Sequence, residues 1–106
     1  MVMIRPLPQF LKEIDGFPLA VREDLADALA RLDEGHVLSM PLSRPMPSIG
    51  RGVHELRFRD RAGIFRVVYV LLGAGQIVLL HAFMKKSAQT PPQNIDLARK
   101  RLKEVR

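Results

Sequence analysis

Arg57 and Arg66 flank the turn Asp60-Arg61-Ala62-Gly63. From Val53 to Arg59 the residues alternate, with His54, Leu56 and Phe58 on one side and Glu55, Arg57 and Arg59 on the other. A two-residue loop at Arg61-Ala62 pairs Asp60 with Gly63, and a four-residue loop pairs Arg59 with Ile64. Either register sets Arg57 directly opposite Arg66 on one face. Like charges facing each other across two strands repel. An anion between them removes the repulsion, and guanidinium groups suit bidentate phosphate contact. Glu55, next along that face, is the other group placed to neutralise Arg57. Lys85 and Lys86 close a third apolar stretch, and alternation places one of them on the same face. A bulge near the preceding turn would change which one, so the choice stays open.

Other side chains with chemical potential are weighed against simple packing. His81 interrupts the third stretch close to the lysines. Histidine titrates near neutral pH and suits acid–base work, but its face depends on the same register. His54 shares a side with Leu56 and Phe58 and reads as a buried structural histidine. His36 follows Gly35 and reads as surface, and Tyr69 reads as packing. Phe83 either stacks on a nucleobase, as aromatics do on RNA-binding sheets, or fills core. Arg59 continues the Arg57 face, and Arg51 adds a further phosphate contact from the preceding connector. There is no cysteine, hence neither disulfides nor thiolate ligands, and no cluster with metal-ligand spacing. No cofactor is expected.

The elements that must position these groups follow from periodicity. Pro8 to Ile14 predicts a short helix stopped by Gly16. Pro18 suits the first turn of a second helix, with Val21, Leu25, Ala28 and Leu32 as its buried stripe and Gly35 as its end. Residues 35–52 form a connector rich in proline and glycine that carries Arg44 and Arg51 and reads as a surface loop. Three strands follow: Val53 to Arg59, Ile64 to Leu72 and Gln76 to Met84, the second apolar on both faces except at Arg66. Thr90, with Pro91 at the first helical position and Gln93 three residues after Thr90, predicts a capped C-terminal helix. Its buried stripe is Ile95, Ala98, Leu102 and Val105, with Arg99, Lys100, Arg101 and Lys103 mostly off it. The expected fold is α+β, an N-terminal helical hairpin on an antiparallel β-meander with a C-terminal helix, in a single domain spanning residues 1–106.

Charge points to the partner class. The chain carries 17 Lys and Arg against 11 Asp and Glu, a formal net charge of +6. Residues 1–43 hold 4 basic and 7 acidic groups, whereas residues 44–106 hold 13 basic and 4 acidic groups. That asymmetry favours one half that faces a polyanion. Val67 to Leu72, the longest strongly apolar stretch, is far short of the roughly 20 residues of a membrane span. Met1 to Leu7 is too short for a signal peptide. A cytoplasmic protein without membrane contact is expected.

Several segments together resemble a known family. They are His54-Glu55-Leu56-Arg57, Gly63-Ile64-Phe65-Arg66-Val67-Val68-Tyr69, Leu79-Leu80-His81-Ala82-Phe83-Met84-Lys85-Lys86-Ser87, Thr90-Pro91 and Ala98-Arg99-Lys100-Arg101. In order and spacing they resemble the phage-derived HigB-like toxins of the RelE/ParE superfamily, over roughly residues 17–106. The resemblance implies a helical hairpin on a twisted antiparallel sheet. It also implies a type II toxin that cleaves mRNA, commonly in the ribosome, and a small helix-turn-helix antitoxin partner. Carried over by position, Arg57, Arg66, Lys85 and Lys86 line the RNA-binding face. Arg66 is assigned to the scissile phosphate and Arg57 to a neighbouring one, with Lys85 or Lys86 as base or charge stabiliser. A lysine crowded by arginines has a lowered pKa, which suits a base.

The sequence departs from the family pattern in two places. The family's N-terminal strand has to fit within Met1 to Leu7, so it is short or absent; if it is missing, a sheet edge is exposed. His54 stands at a position that is usually apolar. Two other functions share the basic face: a ParE-like inhibitor of DNA gyrase, and a nucleic-acid-binding module without catalysis.

Overall fold

A computed structural model of the chain describes residues 2–86 and 89–106. Ser87, the last residue of the third family-like segment, lies outside them. The elements run β1 (Met3–Pro6), α1 (Pro8–Ile14), α2 (Leu19–Asp33), β2 (Ser43–Pro45), β3 (Val53–Asp60), β4 (Gly63–Leu72), β5 (Gln76–Lys85) and α3 (Pro92–Val105). The α+β class, the meander and all three helices match the sequence expectation. None of the described helices is long and apolar enough to cross a membrane.

Two elements correct it. The N-terminal strand is present, and β1 pairs parallel with β5, Met3 beside Gln76 through Pro6 beside Leu79. It is the short form of that strand, it covers the edge that its absence would have left bare, and it makes the sheet mixed rather than wholly antiparallel. The connector is not only loop, because Ser43–Pro45 pairs antiparallel with β3 as β2. The five strands lie in the order β1-β5-β4-β3-β2.

Register follows from the turns. Asp60 pairs with Gly63, so the first hairpin uses the two-residue loop, and the Ala62 amide donates to Asp60 Oδ1 at 2.7 Å. Arg57 lies opposite Arg66, as expected. Between β4 and β5 the pairing shifts at Val68/Tyr69: Val68 faces His81 while Tyr69 faces Leu79, leaving Leu80 as the extra residue of a bulge. The parity change thus sits inside the strand. It puts His81, Phe83 and Lys85 on the Arg66 face.

Helix α2 buries Val21, Leu25, Ala28 and Leu32 on the opposite face, beside Leu56, Phe58, Phe65, Val67 and Tyr69. Phe17, just before α2, meets Phe65 edge-on with ring centroids 4.9 Å apart. Tyr69 shares a 2.6 Å hydrogen bond with Ser43 of β2. Helix α3 covers part of the Arg66 face. Its start differs from the expectation: Pro91 occupies the N-cap position with no side-chain cap, and the helix begins at Pro92. Thr90 is used elsewhere, because its hydroxyl donates to Glu55 Oε2 at 2.8 Å.

Gly52 leads the chain into β3 with φ +78°, and a Cβ there would lie 2.8 Å from the Leu71 carbonyl oxygen. A side chain meets both an unfavourable backbone region and a backbone wall. Gly52→Ala is expected to cost about 2 kcal/mol. Thermal unfolding checks this, as a melting temperature lower by roughly 10 °C in a domain of this size.

Candidate nucleic-acid interface

The hairpin end of the sheet gathers cations from four strands. Arg44 of β2 lies opposite Glu55, Arg57 opposite Arg66, Arg59 opposite Ile64, and Ile64 opposite Lys85. Cross-strand partners share a face, so Arg44, Arg57, Arg59, Arg66 and Lys85 all occur on one face. Pro41, Arg57, Phe58, Arg59 and Arg66 line a cavity of about 250 Å³ there.

Glu55 sits beneath this patch, 1% exposed. It pairs with Arg66 and not with Arg57, the alternative that the sequence left open: Arg66 Nε lies 3.2 Å from Glu55 Oε1. That nitrogen is buried and out of line for a hydrogen bond, while Arg66 Nη1 donates to the Phe65 carbonyl at 3.2 Å. Burial lowers the Arg66 pKa and Glu55 opposes that; Arg57, Arg59 and Arg44 lower it further. Arg66 is thus a guanidinium held in a polar but crowded place, 4% exposed, at the wall of the cavity.

The bulge decides between the two lysines. Lys85 is the one on the Arg66 face, and it is also 4% exposed. Burial lowers its pKa first, then Arg66, against the pull of Glu55, with Arg57 and Arg44 adding to the lowering. The neutral amine is therefore easier to reach than in a free lysine. Lys86 follows the strand and is exposed.

Not every candidate joins the patch. Arg51 precedes β3, at the end where the Leu71 amide donates to the Gly52 carbonyl. The rise from Val53 to Arg57 alone is roughly 13 Å, and Arg51 lies beyond it. Phe83, 8% exposed, stacks on His81 with centroids 5.0 Å apart, so the ring fills core. His81 shares the Arg66 face but is buried under two helices. Its Nδ1 lies 2.9 Å from Glu13 Oε2 and its Nε2 lies 2.7 Å from Asn94 Oδ1. His54 is half-buried and stacks on Tyr69, and His36 is exposed beside Glu34.

Three contributors escaped the sequence reading. Arg44 was assigned to a loop, and only the three-residue pairing of β2 brings it to the patch. Glu13 of α1 accepts from the Ala82 amide at 3.1 Å and from Arg101 Nη1 at 2.8 Å. Arg101 Nη1 also donates to the Leu80 carbonyl at 2.9 Å, on the bulge residue itself. A signal for Arg101 was available: it stands seven residues after Asn94 and three after Ala98, so all three belong to the inward side of α3. Burial pushes the Glu13 pKa up, but hydrogen bonds from His81, Arg101 and the Ala82 amide outweigh it and hold the carboxyl at about 2.

A family model described as phage derived protein Gp49-like (DUF891) matches residues 12–103. No curated protein matches the chain.

Proposed function

The chain belongs to the phage-derived Gp49-like family of RelE/HigB-like toxins, and on that premise we propose that it cuts messenger RNA without a metal ion. The observation that carries this reading is the gathering of five cations from four strands on one sheet face, three of which, Arg57, Arg59 and Arg66, line one cavity. Guanidinium groups supply the positive charge that a metal supplies elsewhere. Arg57 and Arg59 rim the cavity and hold the backbone phosphates, while Arg66 sits at its wall for the scissile phosphate. The ribose 2′-oxygen attacks phosphorus as its proton passes to the Lys85 amine. The phosphorane's charge falls on Arg66. The bond to the 5′-oxygen then breaks, and that oxygen takes a proton from solvent, leaving a 2′,3′-cyclic phosphate and a 5′-hydroxyl. His81, committed to Glu13 and Asn94, positions helices and takes no part in proton transfer.

The partners in this reading are mRNA, the ribosome and a helix-turn-helix antitoxin in the cytoplasm. Incubating the protein with ribosomes and mRNA and mapping 5′ ends is the test. New ends support it. RNA binding without new ends favours a non-catalytic module, a reading that the Glu55–Arg66 pair favours because it neutralises the central arginine. Broken DNA in place of cut mRNA in poisoned cells would point to a gyrase inhibitor.

Lys85→Arg separates charge from proton transfer. Arginine keeps the cation but does not release its proton near neutral pH. RNA affinity is expected to stay within about threefold, while the cleavage rate falls by about 100-fold. Anisotropy on uncleavable RNA and single-turnover cleavage measure the two quantities. An unchanged rate removes Lys85 as base.

A further inference from the structure

The basic cavity does not end at Arg57 and Arg59. A second cavity, of about 320 Å³, shares Arg57, Phe58 and Arg59 with it and is lined further by Asp24, Asp27, Ala28, Arg31 and Leu42. Its existence follows from the shortness of β2. The β2 pairing stops at Ser43 opposite Leu56, and the last contact on that side is the Arg57 amide donating to the Leu42 carbonyl at 2.8 Å. Along an antiparallel strand, alternate residues direct their backbone groups to the same side. The amide and carbonyl of Arg59 therefore point into the edge that β2 leaves open.

Helix α2 supplies the facing wall. Asp24, Asp27, Ala28 and Arg31 follow one another at three, one and three residues, the spacing of a single helical face. Ala28, Leu42 and Phe58 form an apolar floor. Among the described residues no ion pair joins Asp24 or Asp27 to Arg31, Arg57 or Arg59. Next door, the buried Arg66 Nε has no hydrogen bond but lies 3.2 Å from Glu55. The groove thus sets Arg57 and Arg59, as donors for phosphate, and the uncommitted carboxylates of Asp24 and Asp27 beside a flat apolar floor.

We propose that this second groove reads the nucleobase next to the bound phosphate, and that Asp24 and Asp27 make it favour a base with an exocyclic amino group over uracil. This rests on the basic face being an RNA site. Carboxylates accept from amino groups such as cytosine N4, whereas uracil turns two carbonyl oxygens toward them. Guanine fits best, since its imino and amino hydrogens lie side by side and match the two oxygens of one carboxylate. Phe58, Leu42 and Ala28 take the flat face of the ring, and Arg57 and Arg59 hold the backbone on either side.

The experiment uses the full chain and four nine-nucleotide RNAs. Each is all uridine except for a central G, C, A or U, with 2′-O-methyl riboses that cannot be cut. Fluorescence anisotropy is expected to show at least tenfold tighter binding of the G-centred than of the U-centred RNA. In Asp24→Ala/Asp27→Ala, both on an exposed helix face that tolerates alanine, that ratio is expected to fall to about one. Affinity for the all-uridine RNA should hold or rise as negative charge is removed. Equal binding of all four RNAs by the unmodified protein overturns the proposal. So does a double variant that binds every RNA more tightly with the same ratio, since that is charge alone. Failure to bind any of them removes the RNA site itself, and this inference with it. Tight RNA binding with no base preference leaves the RNA site standing.

Discussion

Arg66→Ala is expected to abolish growth arrest on expression and to lower RNA cleavage by about 10²–10³-fold. That is the size of effect seen when one preorganised charge-stabilising group is removed from a transition state. The structure adds a complication that sequence alone did not show. Glu55 is buried against Arg66, with Thr90 as its other partner. Removing one member of a buried pair leaves the other charge uncompensated, at a cost of about 3–5 kcal/mol. Loss of the Arg57–Arg66 repulsion offsets part of that. Loss of toxicity in Arg66→Ala therefore needs a folded companion. Arg66→Lys keeps a positive charge beside Glu55 but loses the planar fork. It is expected to melt within a few degrees of the parent while cleavage still falls by tenfold or more. Full cleavage by a folded Arg66→Lys or Arg66→Ala would remove Arg66 from the chemistry.

Glu13→Ala is expected to destabilise the fold strongly, at a distance from the basic patch. Glu13 ties α1 to β5 through the Ala82 amide and His81, and to α3 through Arg101. Its loss leaves the Arg101 guanidinium buried without its carboxylate. The side chain is 23% exposed, so solvent screens some of this and the low end of the usual range applies, about 3 kcal/mol. A melting temperature lower by roughly 15 °C is the readout. Acid tests the same cluster. The folded carboxyl titrates at about 2 against an ordinary 4.5, so it is a depressed group. Its contribution is complete above pH 4.5 and is lost as pH falls toward 2. Denaturant titrations of the parent and Glu13→Gln should therefore differ at neutral pH and converge at the acid end. A constant gap would mean that the charge of Glu13 is not what stabilises the fold.

Much of this was legible from residue types and spacing. The stripe of α2, the turn at Arg61-Ala62 and the opposition of Arg57 and Arg66 depend on local periodicity, which sequence carries directly. What was hidden depends on pairing at a distance. Ser43–Pro45 has no alternation to announce it, so Arg44 looked like a loop residue. Met3–Pro6 becomes a strand only because β5 offers a parallel partner. Thr90 and Gln93 spell a capping box, but two consecutive prolines move the helix start, and buried Glu55 is the stronger claim on the Thr90 hydroxyl. The face of Lys85 could not be fixed because a single unpaired leucine inside β5 inverts the count.

That leucine gives β5 one residue of slack. The ladder on either side of Leu80 is continuous, with Tyr69 beside Leu79 and Val68 beside His81. A chain shorter by one residue at this spot would zip both halves together and still present its lysine to the arginines. The turn-side half and the cation-bearing half of the strand can thus change length independently by a single step. Across chains of this fold, one-residue gaps in the last strand should collect where Arg101 grips the loosened carbonyl.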